Sequence, residues 1–141
     1  MPTLKGFGSL AAIPEEKITD KITRRVLAGE RGMMVWWNIK AGAHAGAHSH
    51  PHEQIVWMLR GKMEFRIGGE RRVLNAGEVA VIPGGAEHEG WFQEDTEVVD
   101  IFVPPREDFL GGAHRHTCAR HESARRSASP CRHRCSPAPT R

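Results

Sequence analysis

The feature that most limits the fold of this chain is the spacing of its apolar residues between Ile22 and Leu110. They come in runs of strand length, "GMMVWWNI", "EQIVWML", "KMEFRI", "RRVL", "EVAVI" and "EVVDIFV", separated mostly by Gly, Pro or Asn. Val, Ile, Trp and Phe dominate these runs, and such residues suit a pleated, half-buried surface. Within "KMEFRI" the alternation is clean: Met63, Phe65 and Ile67 share one face, and Lys62, Glu64 and Arg66 share the other. Gly68 and Gly69 follow as a two-residue hairpin turn, with "ERRVL" as the returning strand. No stretch sustains a helical period. Many short strands with frequent Gly turns predict an all-β antiparallel sandwich or barrel.

Two of the strands are apolar on both faces. In "QIVWML", Ile55, Trp57 and Leu59 oppose Val56 and Met58, and in "GMMVWWNI" Trp36 and Trp37 point opposite ways. One face lines the interior, and the other needs a cover. A second subunit packing sheet to sheet is the natural cover, with the N-terminal segment as the alternative, so a homodimer is expected.

The stretch "GAHAGAHSHPHEQ", Gly42 to Gln54, carries His44, His48, His50 and His52. In an extended segment alternate residues share a face, so His48 and His50 converge. Gln54 lies an even step beyond His50 and projects to the same side. His88 is the only other histidine before residue 111, just past a Pro-Gly-Gly turn that begins a neighbouring strand. His44 and His52 fall outside this set and are expected to face solvent or to support it. Glu53 points away from Gln54, to the surface.

The last apolar strand reads "VVDIFVPPREDFL", with Asp100 and Phe102 on one face and Val99, Ile101 and Val103 on the other. Pro104 and Pro105 end the strand and place Arg106. If the Asp100 face looks inward, its carboxylate is available as an acid or base beside the histidines. Arg106 then offers a guanidinium fork to a substrate carboxylate. The pattern leaves the plainer reading open, with Asp100 facing solvent and Arg106 paired to Glu107 or Asp108.

The 141 residues fit one domain. The formal net charge of +3 misleads about it. Residues 111–141 hold seven Arg against one acid, Glu122, so residues 1–110 carry a net charge of −3. The basic character thus says nothing of a nucleic-acid surface on the domain, and none is expected. Cys118, Cys131 and Cys135 all fall in the tail, and the domain has no disulfide framework. "CRHRC" matches no usual zinc-finger spacing, and its Ser, Pro and Arg surroundings give it nothing to pack. A domain over 1–110 and a disordered, frame-shifted or unselected tail over 111–141 are expected. No run of apolar residues is long enough for a membrane span, and "MPTLKGFGSLAAIPEEK" lacks the build of a signal peptide. A cytoplasmic protein is expected.

Two motifs resemble those of the cupins. Gly42, His48, His50, Gln54 and Gly61 fit the spacing of the first, with Gln in place of the usual Glu. Gly77, Pro83, Gly85 and His88 fit the second, although Phe92 stands where an Asn is usual. The resemblance covers roughly residues 30–105. It implies a jelly-roll β-barrel with one divalent transition metal (Ni, Zn, Fe, Co or Mn) held by His48, His50, Gln54 and His88. Three imidazoles and an amide form a neutral shell, so the ion keeps its full charge and attracts anionic oxygen.

Within the cupins, "DIFVPPREDFL" and "HSHPHEQ" are similar to the KdgF-like pectin-degradation proteins, which linearise unsaturated uronates. The resemblance implies that Asp100, Phe102 and Arg106 serve the reaction. It makes the expected activity a metal-dependent, non-redox isomerisation of 4,5-unsaturated monouronates from pectin or alginate to linear keto acids. Two alternatives use the same barrel: an iron-dependent cupin dioxygenase, and a non-catalytic cupin that binds a sugar or other small molecule.

Overall fold

The computed structural model describes residues 4–111. Ten strands carry the fold: β1 (Glu16–Lys17), β2 (Ile22–Ala28), β3 (Met33–Ile39), β4 (His44–His48), β5 (Glu53–Arg60), β6 (Lys62–Ile67), β7 (Glu70–Asn75), β8 (Val79–Ile82), β9 (His88–Phe92) and β10 (Thr96–Val103). A single turn of helix, α1 (Glu107–Leu110), follows. Every pairing is antiparallel, in a six-stranded sheet of order β1-β2-β3-β10-β5-β8 and a four-stranded sheet of order β4-β9-β6-β7. The expected jelly-roll β-barrel is what forms. No helix among the described residues is long and apolar enough to cross a membrane.

The alternation in β6 does what the pattern predicts. Met63 and Phe65 are buried, and Ile67 pairs with Glu70 across the Gly68–Gly69 turn. These residues meet Val56, Met58 and Val98 of the larger sheet in the core between the sheets, joined by Ile82 and Phe92. Burying one such side chain is worth about 1.5–3 kcal/mol. Between β5 and β6 the chain passes from one sheet to the other through Gly61 alone. Gly61 has φ +82°, and a Cβ there would press into the Asp95 carbonyl oxygen, so no other residue makes this crossing without strain.

Strands β2, β4 and β9 were not among the runs picked out by their apolar residues. "HAGAH" and "HEGWF" hold no β-branched residue; they are strands because they pair, His44 with Trp91 and His48 with His88. Tertiary pairing overrides weak local preference here. Helix α1 is likewise new, and it folds Phe109 back against Trp37 and Phe102, with ring centroids 6.1 and 5.7 Å apart.

The outer face of the larger sheet is apolar in two cross-strand rows, Trp36–Val99–Trp57–Val79 and Met34–Ile101–Ile55–Val81. Trp57, Val79 and Val81 are about half exposed or more. Among the described residues the N-terminal segment leaves these three side chains open, and its own Phe7 is fully exposed. The expectations for the tail beyond Gly111, its cysteines included, lie outside the described residues.

Candidate metal centre

His48 closes β4, His88 opens β9, and the two are register partners in the smaller sheet. Gln54 sits near the start of β5 in the larger sheet, opposite Phe102 of β10. His50 belongs to neither sheet but to the loop that carries the chain between them. This corrects the route, though not the outcome, of the sequence reading. The residues do not converge by alternation along one strand; they are brought together from two sheets and a connecting loop. The loop is held by its neighbour: the backbone N–H of Gly85 donates to the His50 carbonyl at 2.7 Å. Gly84 lies so close that a Cβ would run into the Pro51 carbonyl oxygen.

One ligand nitrogen from each of His48, His50 and His88 falls within 4.8 Å of the others. Each ring is fixed by the same device. Nδ1 of His48 faces the Gly46 carbonyl at 2.7 Å, that of His50 the His52 carbonyl at 3.1 Å, and that of His88 the Ala86 carbonyl at 2.9 Å. A carbonyl only accepts, so each Nδ1 carries the proton and each Nε2 keeps a free lone pair. Nε2 of His88 is buried without a partner. Nε2 of His50 lies 3.0 Å from Oε1 of Gln54, which sets one acceptor against another unless a cation lies between them. Two groups binding one transition-metal ion at about 2.1 Å, at right angles, stand about 3 Å apart. The residues present fit a divalent metal.

Protonation supports this. Burial, with a smaller push from the neighbouring His48, His50 and Arg106, lowers His88 to about 4. Burial and the Arg106 charge also lower His50. These imidazoles are neutral at neutral pH, the state that binds metal.

A cavity of about 280 Å³ opens beside the triad. Asp100, Phe102 and Arg106 all line it together with His48, Gln54 and His88. Burial raises Asp100 to about 6, against the hydrogen bonds of Gln54 and Trp37 and the charge of Arg106. Nε1 of Trp37 donates to Oδ2 of Asp100 at 2.9 Å. The guanidinium of Arg106 packs over Phe109 at 4.1 Å and Phe102 at 5.3 Å. It also holds Asp108 through two hydrogen bonds, of 3.2 and 2.7 Å. Arg106 is thus paired to Asp108, one of the two partners considered from the sequence, and it also lines the cavity. Apolar side chains such as Val56, Met63 and Phe92 make up most of the remaining wall.

His44 and His52 fall outside the triad, as expected. His44 contacts Glu89 at 2.8 Å and stacks on Trp91, whereas His52 packs beside His50 at 5.6 Å. Glu53 is exposed. Trp37 and Phe109 were not singled out from the sequence as site residues. For Trp37 a signal existed, since it shares an apolar strand with Trp36 and faces the other way.

A family model described as a cupin domain, Cupin_2, matches residues 35–104. The pectin degradation protein KdgF of Dickeya dadantii is 32% identical over 100 residues, 69% of this chain and 91% of that protein. Among solved structures, KdgF from Halomonas sp. matches with a TM-score of 0.71 at 29% identity, over 76% of this chain and all of that one. An RmlC-like cupin from Shewanella frigidimarina matches with a TM-score of 0.73 at 26% identity, over 77% of this chain and 99% of that one.

Proposed function

The chain belongs to the cupin family as one of its KdgF-like members, and on that premise we propose that it is a metal-dependent enzyme linearising 4,5-unsaturated monouronates. The observation that carries this reading is that a carboxylate, Asp100, and a guanidinium, Arg106, open on the same cavity as His48 and His88 of the triad and Gln54. The relatives named for pectin degradation support the substrate class.

A divalent ion held by His48, His50, Gln54 and His88 supplies Lewis-acid stabilisation for negative charge developing on a substrate oxygen. The chain's own residues do the rest. Arg106, stacked on Phe109 and Phe102, pairs its fork with the substrate carboxylate and fixes the ring in the cavity. Phe102, almost fully buried, forms the apolar wall against which the ring rests. Asp100, with a pKa of about 6, takes and returns a proton near neutrality. It accepts the proton of the anomeric hydroxyl as the C1–O5 bond breaks and delivers one to C4. The enol so freed becomes a ketone, atoms balance, and no oxidant enters. The cavity, at about 280 Å³, suits one sugar ring.

The test follows the ultraviolet absorbance of unsaturated galacturonate with metal-loaded protein against a metal-stripped control. Faster, metal-dependent loss of the conjugated chromophore is the expected result. No acceleration with any divalent metal would overturn the proposal and turn attention to oxygen consumption with Fe(II).

The same reading includes a homodimer, formed by the apolar outer face of the larger sheet. Two such faces packed together would remove Trp57, Val79 and Val81 from water.

A further inference from the structure

We infer that Trp37 and Asp100 set the polarity of the metal centre by orienting Gln54: the indole N–H donates to the Asp100 carboxylate, the carboxylate accepts from the Gln54 amide, and the amide oxygen is thereby turned to the ion.

The two ends of a glutamine amide have nearly the same shape, so packing alone does not decide which end faces the histidines. Hydrogen bonding does. An ionised carboxylate only accepts. Gln54 pairs across the strands with Phe102 and Asp100 with Val56, so Gln54 and Asp100 are diagonal neighbours lining one cavity. The amide holds the Asp100 carboxyl down against the effect of burial; the amide nitrogen is thereby assigned to the Asp100 side. The oxygen then falls on the His50 side, where it is found 3.0 Å from Nε2. A reversed amide would set two acceptors against each other at Asp100 and point a donor at the ion. Asp100 is itself held, since Nε1 of Trp37 reaches Oδ2 at 2.9 Å. Trp37 is packed edge-on against Phe109 at 6.1 Å and lies under the Arg24 guanidinium at 5.6 Å.

The relay also explains why glutamine occupies this place. A glutamate at position 54 would press its carboxylate against that of Asp100, inside a pocket where burial already disfavours one negative charge. An amide satisfies both neighbours, donating to Asp100 and offering its oxygen to the metal. The two positions are therefore read as a pair: amide next to the ion with carboxylate beyond, or carboxylate next to the ion with amide beyond.

This rests on the triad holding metal and not on the uronate reaction, so the test uses cobalt(II) alone. Its visible absorption bands report the ligand set, and competition with a chelator gives the affinity, on full-length protein at neutral pH. Asp100→Asn leaves the Trp37 and Gln54 donors competing for one acceptor, and cobalt affinity is expected to fall about 10–100-fold with a changed spectrum. Adding Gln54→Glu to Asp100→Asn reverses the polarity of the pair and satisfies every group, so the double variant regains wild-type affinity or better. Trp37→Phe keeps an aromatic ring but loses the N–H, and a smaller loss, about threefold or more, is expected. Melting of the metal-free variants confirms that each is folded. Asp100→Asn binding cobalt as tightly as wild type, or a double variant no better than Asp100→Asn, would overturn the relay. His48→Ala is the control on the premise: cobalt binding that survives it unchanged would overturn the metal reading and the relay together, whereas its loss there with an unaffected Asp100→Asn would sink the relay alone.

Discussion

Nε2 of His50 and Oε1 of Gln54 face each other at 3.0 Å, two acceptors with no proton of their own to share. The pair is stable when a cation joins it. Metal-stripped protein should therefore melt lower than metal-loaded protein. An ion present at about 100 times its dissociation constant adds about 2.7 kcal/mol, which for a domain of this size means a shift of about 10 °C or more. Differential scanning calorimetry with and without a chelator measures it, and His48→Ala should melt at the same temperature in both.

In the metal-free protein His88 makes acid destabilising. Its folded pKa, about 4, lies below the ordinary value of 6.5, so the folded state favours neutral imidazole. The stability this contributes is complete above pH 6.5 and is lost as pH falls towards 4. The loss should be about 3 kcal/mol across that window. Urea denaturation of stripped protein at several pH values reads it, and His88→Gln should flatten the slope over the same range.

Asp100→Ala should cut turnover at least about 100-fold when metal is saturating, because a proton carrier is lost. Arg106→Lys should act differently. It keeps the charge but loses the fork and the stacking on Phe109 and Phe102. KM should rise about tenfold with kcat much less affected, the mark of a binding group. Steady-state kinetics on the two variants separates the roles; equal effects on both parameters would contradict the division.

Trp57→Glu should give a monomer. The side chain lies in the middle of an outward apolar row between Val99 and Val79, and a charge there has no partner across a sheet-to-sheet interface. Sedimentation velocity compares the variant with wild type, whose expected state is the dimer. Its metal content should be unchanged, since Trp57 points away from the cavity that Val56 and Gln54 line.

Much of this was legible in the residues, and the parts that were not share a cause. The β6–β7 hairpin could be read because Met63 and Phe65 alternate with charge and two glycines follow. The triad could be read because its spacing carries two motifs. The strand expected to begin near His88 is β9, but neither its extent nor that of β4 could be read, since "HAGAH" and "HEGWF" become strands only through partners distant in sequence. Trp37 shows the same limit. Alternation says that it opposes Trp36 but not which of the two faces inward; that depends on the register with β10, where Val98 lies opposite Trp37 and Val99 opposite Trp36. The link from Trp37 to Asp100 spans 63 residues and has no local trace.

The loop and the two sheets that supply the triad and Gln54 also set the order of events when the chain folds. Gln54 comes from one sheet, His48 and His88 from the other, and His50 from the segment between them. Until both sheets have formed and closed, no more than a fragment of the ligand set exists. Metal should then bind late, on the native side of the folding barrier. Its stabilisation would appear almost wholly as slower unfolding, with the refolding rate nearly untouched. An ion seated there acts as a latch rather than a nucleus.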